Sequence, residues 1–148
     1  MKLFQIEEPD GSPVDPDAAG VAIGIDISGA AAEVAVAVGG NAVVLADRDG
    51  FALDLAVPPP AAPGEEWQLL FEGARLRAER SLAQPVTHAV VALAAAPDAA
   101  FAARLLTACE AAGLTLLRIV ARSEIGDAPR ALAAAIVAED MAPRPEAP

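Results

Sequence analysis

The chain is 148 residues long, 55% hydrophobic in composition, and carries a formal net charge of −11 with a pI near 4.3. Such an acidic surface repels nucleic-acid backbones and anionic lipid, whose binding relies on Lys and Arg, so neither is an expected partner. The lone cysteine, Cys109, excludes an internal disulfide and any multi-cysteine metal site, and no apolar run reaches the roughly 20 residues of a membrane-spanning helix.

Residues 1–20 begin MKLFQIEEPDG, which lacks an apolar signal core and turns acidic at once. The expected location is the cytoplasm. Lys2 to Ile6 suggest a short edge strand, and Glu7 to Gly20, with five acids, prolines and glycines, read as a flexible acidic lead. A single domain is expected over 21–140, with a loose, proline-rich tail over 141–148.

Val21–Ile27, Glu33–Val38 and Asn41–Ala46 are short apolar runs rich in Val, Ile and Ala, and they predict three strands. Gly39-Gly40 before Asn41 is a hairpin signal. Phe51–Val57 predicts a short extended segment, and PPPAAPG (Pro58 to Gly64) predicts a stiff linker. Trp67, Leu70, Phe71, Ala74, Ala78 and Leu82 then fall on one helical face, which Gln84-Pro85 ends. Thr87–Leu93 reads as a strand covered on both faces. Pro97 and Asp98 predict a first helical turn, Phe101, Leu105, Ala108, Cys109 and Ala112 its inner face, and Gly113 its cap. Leu114–Val120 predicts another strand. Ser123, Gly126 and Asp127 predict the start of a last helix running to about Val137.

The order β-β-β-α-β-α-β-α predicts an α/β protein: a meander, then parallel strands reached by right-handed crossovers, in one mixed sheet. The ribonuclease H-like fold, shared with actin-like ATPases, has this order.

Three segments carry a resemblance. IGIDISGAAAEVAV (Ile23 to Val36) is similar to the strand-turn-strand that opens the ATPase domain of Hsp70 chaperones. AERSLAQPVTHAVVAL (Ala78 to Leu93) and PDAAFAARLLTACEAAGLTLLRIV (Pro97 to Val120) resemble later stretches of the same lobe, in the same order and spacing. The likeness covers Val21 to about Asp49 and Glu72 to Val120, fading toward Asp140. It implies the first lobe of an Hsp70-type ATPase, with Gly24, Asp26, Ser28 and Gly29 as the counterpart of its phosphate loop and Asp26 as a water-mediated Mg²⁺ partner.

The departures point away from catalysis. The Gly-Thr-Thr-Asn turn of the family is here Ser28, Gly29, Ala30 and Ala31, which lacks most of the side-chain oxygens. The insertion bearing the family's catalytic lysine is replaced by the PPPAAPG linker, and the only lysine is Lys2. Arg122 stands where the family has a water- and metal-ordering acid, and Glu124 lies two residues on. The second lobe, which holds base and ribose, is not in these 148 residues.

Each site residue also has a plainer reading. Asp26 suits a strand-end acid capping a turn, because one carboxylate makes a poor metal cage. Ser28-Gly29 suits ordinary turn chemistry. His88 suits a strand position rather than a base, Cys109 a small buried residue, and Glu139-Asp140 a solvated charge pair.

The expectation is therefore a degenerate lobe without independent ATP hydrolysis. It needs no cofactor and binds another protein, or itself as a homodimer, through an exposed face. The alternative is an ATP/ADP-binding module, with Mg²⁺, completed by a second lobe in trans or by self-association.

Overall fold

A computed structural model of the chain describes residues 20–45, 55–121 and 129–142. Their elements are β1 (Val21–Asp26), β2 (Glu33–Val38), β3 (Asn41–Leu45), α1 (Gly64–Leu82), β4 (Val86–Leu93), α2 (Ala99–Ala111), β5 (Thr115–Ala121) and α3 (Arg130–Met141). The expected Lys2–Ile6 strand, most of the acidic lead, residues 143–148 of the tail and the Ser123–Asp127 helix start lie outside the described residues.

The strands form one sheet in the order β3-β2-β1-β4-β5. β1 with β2 and β2 with β3 are antiparallel, while β4 is parallel to both β1 and β5. The sequence explains the switch. Gly39 and Gly40 have φ of 62° and 83°, the left-handed backbone that a two-residue hairpin turn requires, so β2 turns directly into β3. Every later strand is reached through a helix, and a helical crossover returns the chain parallel.

The sheet has a thick side and a thin side. On one face α1 and α2 bury large side chains (Trp67, Phe71, Leu105) against Ile23, Ile25, Val34 and Val91. The buried face of α1 is Trp67, Leu70, Phe71, Ala74 and Ala78, as its three- and four-residue spacing predicts. On the other face α3 lays Ala131, Ala134, Ala135 and Ala138 on Ala22, Ala35, Ala37, Val90, Ala92 and Val120. With methyl groups on both sides, this layer closes until backbone meets backbone. At Gly24, in the middle of β1, a Cβ would lie 2.3 Å from the Ala135 nitrogen and 2.8 Å from the Ala131 oxygen. Only glycine fits there.

The ends of α2 match its sequence closely. Asp98 is the N-cap, its Oδ1 accepting the Phe101 N–H at 2.8 Å; Pro97 and Asp98 thus precede the helix instead of forming its first turn. Gly113, at φ 88°, closes it: the Leu114 and Gly113 amides donate to the Cys109 and Glu110 carbonyls at 2.9 and 3.1 Å, a Schellman arrangement. α3 runs to Met141, past the expected Val137, because Ala138 still belongs to its buried face.

Candidate functional site

The carboxyl ends of β1 and β4 lie side by side, and the Ile27 N–H, donating to the Ala92 carbonyl at 3.0 Å, extends their pairing past Asp26. From here the chain leaves β1 toward β2 on one side and leaves β4 through α2 toward β5 on the other. Open α/β sheets bind ligands at such divergences.

Asp26 and Ser28 sit at this point, both partly buried. Asp26 Oδ1 accepts the Ser28 backbone N–H at 2.9 Å and the Ser28 hydroxyl at 2.6 Å. This is the local turn that aspartate makes with the residue two positions on. From the far side, Arg130 Nη1 donates to Ser28 Oγ at 3.1 Å. The hydroxyl thus bridges a carboxylate and a guanidinium, its single proton given to Asp26. Arg130 opens α3, where a cation faces the positive end of the helix dipole; its bond to Ser28 offsets that placement. Its Nε is buried without a hydrogen-bond partner.

The rest of the turn is held by residues 55–57. The Ala32 N–H donates to the Leu55 carbonyl at 2.8 Å and the Val57 N–H to the Ala30 carbonyl at 2.9 Å, around an isolated bridge between Ala31 and Ala56. Of the expected extended segment, residues 55–57 are therefore seen pairing with the turn, and 51–54 lie outside the described residues. The Ala32 amide is spent on this pairing. Gly29 is exposed, and a Cβ there would meet only the Ala31 oxygen at 3.8 Å, so the fold itself does not demand glycine at 29. Gly24 lies apart, mid-strand beneath α3.

Beside Ser28 a cleft of about 260 Å³ runs between Pro58, Pro60, Trp67, Leu93, Pro97 and Phe101. That is small for a ligand site, which commonly holds about 300–1,000 Å³. Its walls are apolar, and Trp67 meets Phe101 edge-on at 5.4 Å. Trp67 is 1% exposed, and its Nε1 has no hydrogen-bond partner. A larger groove, about 410 Å³, lies along Val57, Glu66, Leu69 and Leu70 and does not include Asp26 or Ser28 among its lining residues.

The remaining candidates are structural in their surroundings. Cys109 is buried, and burial, then the neighbouring Glu110 charge, push its thiol up to about 12. His88 lies within β4, its Nδ1 2.7 Å from Thr87 Oγ1, and burial lowers its pKa. The Gly20 N–H also donates to Thr87 Oγ1, at 3.1 Å. Arg75 pairs with Glu79 at 3.0 Å and donates from Nε to the Ala112 carbonyl. Glu79 also accepts the Val86 N–H, tying the end of α1 to the start of β4. Glu139 is more than a solvated charge: its two carboxylate oxygens accept the Gly39 and Gly40 amides at 2.6 and 2.9 Å.

Among the described residues no three His, Cys, Asp or Glu side chains gather to hold a metal ion, and no helix is long and apolar enough to cross a membrane. Arg122 and Glu124 lie outside the described residues. Sequence reasoning overlooked Arg130. The signal for it was a cation directly after Pro129 at a helix start, where an acid is the favourable charge.

Fold and site define an α/β protein whose described residues form a five-stranded mixed sheet between two helical layers, with a polar turn at its carboxyl edge. No protein-family model and no curated protein matches the chain.

Proposed function

We propose that the chain is a single ribonuclease H-like lobe of the actin-like ATPase kind, similar to the first lobe of the Hsp70 ATPase. In this reading it works in the cytoplasm as a chaperone-related, protein-binding scaffold and does not hydrolyse ATP by itself. The strand order, with α1 and α2 on one face and α3 on the other, supports the lobe. The observation that carries the loss of chemistry is the use made of the turn. Asp26 and Ser28, the polar groups left in it, are bonded to each other, and an arginine occupies the remaining side of the hydroxyl. Phosphoryl transfer draws on positive charge and metal placed around the moving phosphate. Here the turn's two polar side chains, Asp26 and Ser28, and the Arg130 guanidinium beside them are engaged with one another.

The test is Mg-ATP turnover by the full chain with Asp26→Ala as control. Turnover above background that disappears in Asp26→Ala refutes the reading; equal background in both supports it.

Arg130 favours a second reading, an ATP/ADP-binding module completed by another lobe, since a guanidinium beside Ser28 is a ready phosphate partner. It requires saturating Mg-ADP to raise the melting temperature by mass action. An unchanged melt, alone and with a candidate partner lobe, removes it. Calorimetry with Mg-ADP separates the two directly, because only the second evolves heat of binding.

A further inference from the structure

Among the described residues the sheet ends in β3 on one side and β5 on the other. An edge strand offers unpaired N–H and C=O groups, and proteins guard such edges with bulges or charged side chains. β5 is guarded in both ways. Its ladder with β4 slips between Ala89 and Val90, and the exposed Arg118 stands in mid-strand. β3 has neither protection. Its five-residue ladder with β2 runs without a slip, and Asn41-Ala42-Val43-Val44-Leu45 contains no charge. Both faces of this edge show valine to solvent: Val38 and Val43, 72% and 56% exposed, on the α1 side, and Val44, 44% exposed, on the α3 side. Among the described residues no strand pairs with the outer side of β3.

We propose that β3 pairs antiparallel with β3 of a second copy, extending the sheet across a two-fold axis at Val43. The claim rests on the interaction reading above and names the partner that reading leaves open. The hydrogen-bond phase selects the register. A two-residue hairpin makes its flanking residues, Val38 and Asn41, a hydrogen-bonded pair. Asn41, Val43 and Leu45 then turn their backbone groups toward β2, and Ala42 and Val44 turn theirs outward. Centred on Val43, Ala42 of each copy meets Val44 of the other, so every outward group on the strand finds a partner, and Asn41 lies opposite Leu45. The match is isologous, as a two-fold pairing requires. Charge argues for the same place: two molecules of net charge −11 approach best along a stretch with no carboxylate of its own. Five residues a side bury less than the roughly 800 Å² per partner of a standard interface, so the expected dissociation constant is on the order of 10–100 µM.

The test is sedimentation equilibrium of the full chain from about 1 µM to 1 mM, a range that brackets that constant. A reversible monomer–dimer equilibrium is expected. Val44→Pro removes an outward N–H while leaving the β2 ladder intact, and should weaken association by about tenfold or more. Val43→Cys supplies a second readout. A non-hydrogen-bonded antiparallel pair brings Cα atoms to about 4.5 Å, within disulfide range, so mild oxidation should cross-link Val43→Cys far faster than the exposed control Val38→Cys. Cys109, buried with its thiol pushed up to about 12, stays silent.

A monomer throughout, a dimer untouched by Val44→Pro, or equal cross-linking at 43 and 38 would each overturn the pairing. A dimer that also turns over Mg-ATP would sink the hydrolysis-free scaffold and leave the pairing standing. A monomer without turnover would do the reverse.

Discussion

Gly24 is where the thin side of the sheet can be put to a quantitative test. Replacing it with alanine puts a methyl carbon 2.3 Å from the Ala135 nitrogen, 2.7 Å from the Ala134 carbonyl carbon and 2.8 Å from the Ala131 oxygen. Ordinary contact between such atoms begins near about 3.5 Å, so α3 must withdraw by roughly 1 Å. All three obstacles are backbone, and no side chain can rotate away to make room. A gap of about 1 Å forfeits up to half the dispersion energy of each contact it opens. The gap opens under all four buried alanines of the helix. Overpacking usually costs about 1–3 kcal/mol, and a rigid site belongs at the upper end. The better strand propensity of alanine returns about 0.5–1 kcal/mol. The expected net loss is about 2–2.5 kcal/mol, or roughly 5–10 °C in melting temperature for a domain of this size. Urea titration followed by far-UV circular dichroism, with fluorescence of the single tryptophan on the opposite layer as a second probe, measures it. A Gly24→Ala protein within about 0.5 kcal/mol of the parent, the scatter of neutral surface changes, would mean that α3 does not approach β1 this closely.

Three further outcomes are expected. Glu139→Gln weakens the carboxylate clamp on the β2–β3 turn, so amide exchange at Gly39 and Gly40 should quicken and stability fall by about 1 kcal/mol; unchanged exchange would dissociate the clamp from the turn. His88 has a folded pKa below its ordinary 6.5 because burial disfavours the imidazolium. The unfolded chain therefore binds a proton more readily, and the stability from neutral His88 is full above pH 6.5 and declines as pH drops from there toward the folded value. Melting temperatures across that range should show this fall, and His88→Gln should flatten it; an identical slope in both proteins refutes the assignment. Cys109, with its thiol pushed up to about 12, should resist iodoacetamide near pH 8 in the native state and react once denaturant is added. Native labelling at the rate of a free thiol would contradict its burial.

Much of the architecture was legible because local signals agreed with one another. The Gly39-Gly40 turn, the helical spacing from Trp67 to Ala78 and the Pro97-Asp98 to Gly113 bracket around α2 each specify a conformation from neighbouring residues alone. The site was legible only in part. Asp26 and Ser28 are two residues apart and their bond is local, but Arg130 reaches Ser28 across 102 positions. Glu139 reads as a surface acid until α3 lies over β2 and brings it to a turn 99 and 100 positions away. Gly24 belongs to an apparent phosphate-loop pattern, GIDISG, and its steric role emerges only when a helix from the far end of the chain settles on it. Strand periodicity says that β1 is buried; it carries no information about how near the covering layer comes.

The thin and thick sides of the sheet should tolerate genetic change unequally. Beneath α1 and α2, leucine, isoleucine and phenylalanine offer many rearrangements of similar volume, so substitutions there can compensate one another. Beneath α3, Val90 and Val120 aside, the buried residues are alanines and Gly24, already near the smallest that exist, and almost every replacement of these is an enlargement with nowhere to go. A saturation library should recover diverse aliphatic sequences on one face and, at Gly24 and the alanine positions of the other, little beyond glycine, alanine and serine. The alanine-rich composition of this chain is thus a geometric specification for one helix as much as a bias in residue usage.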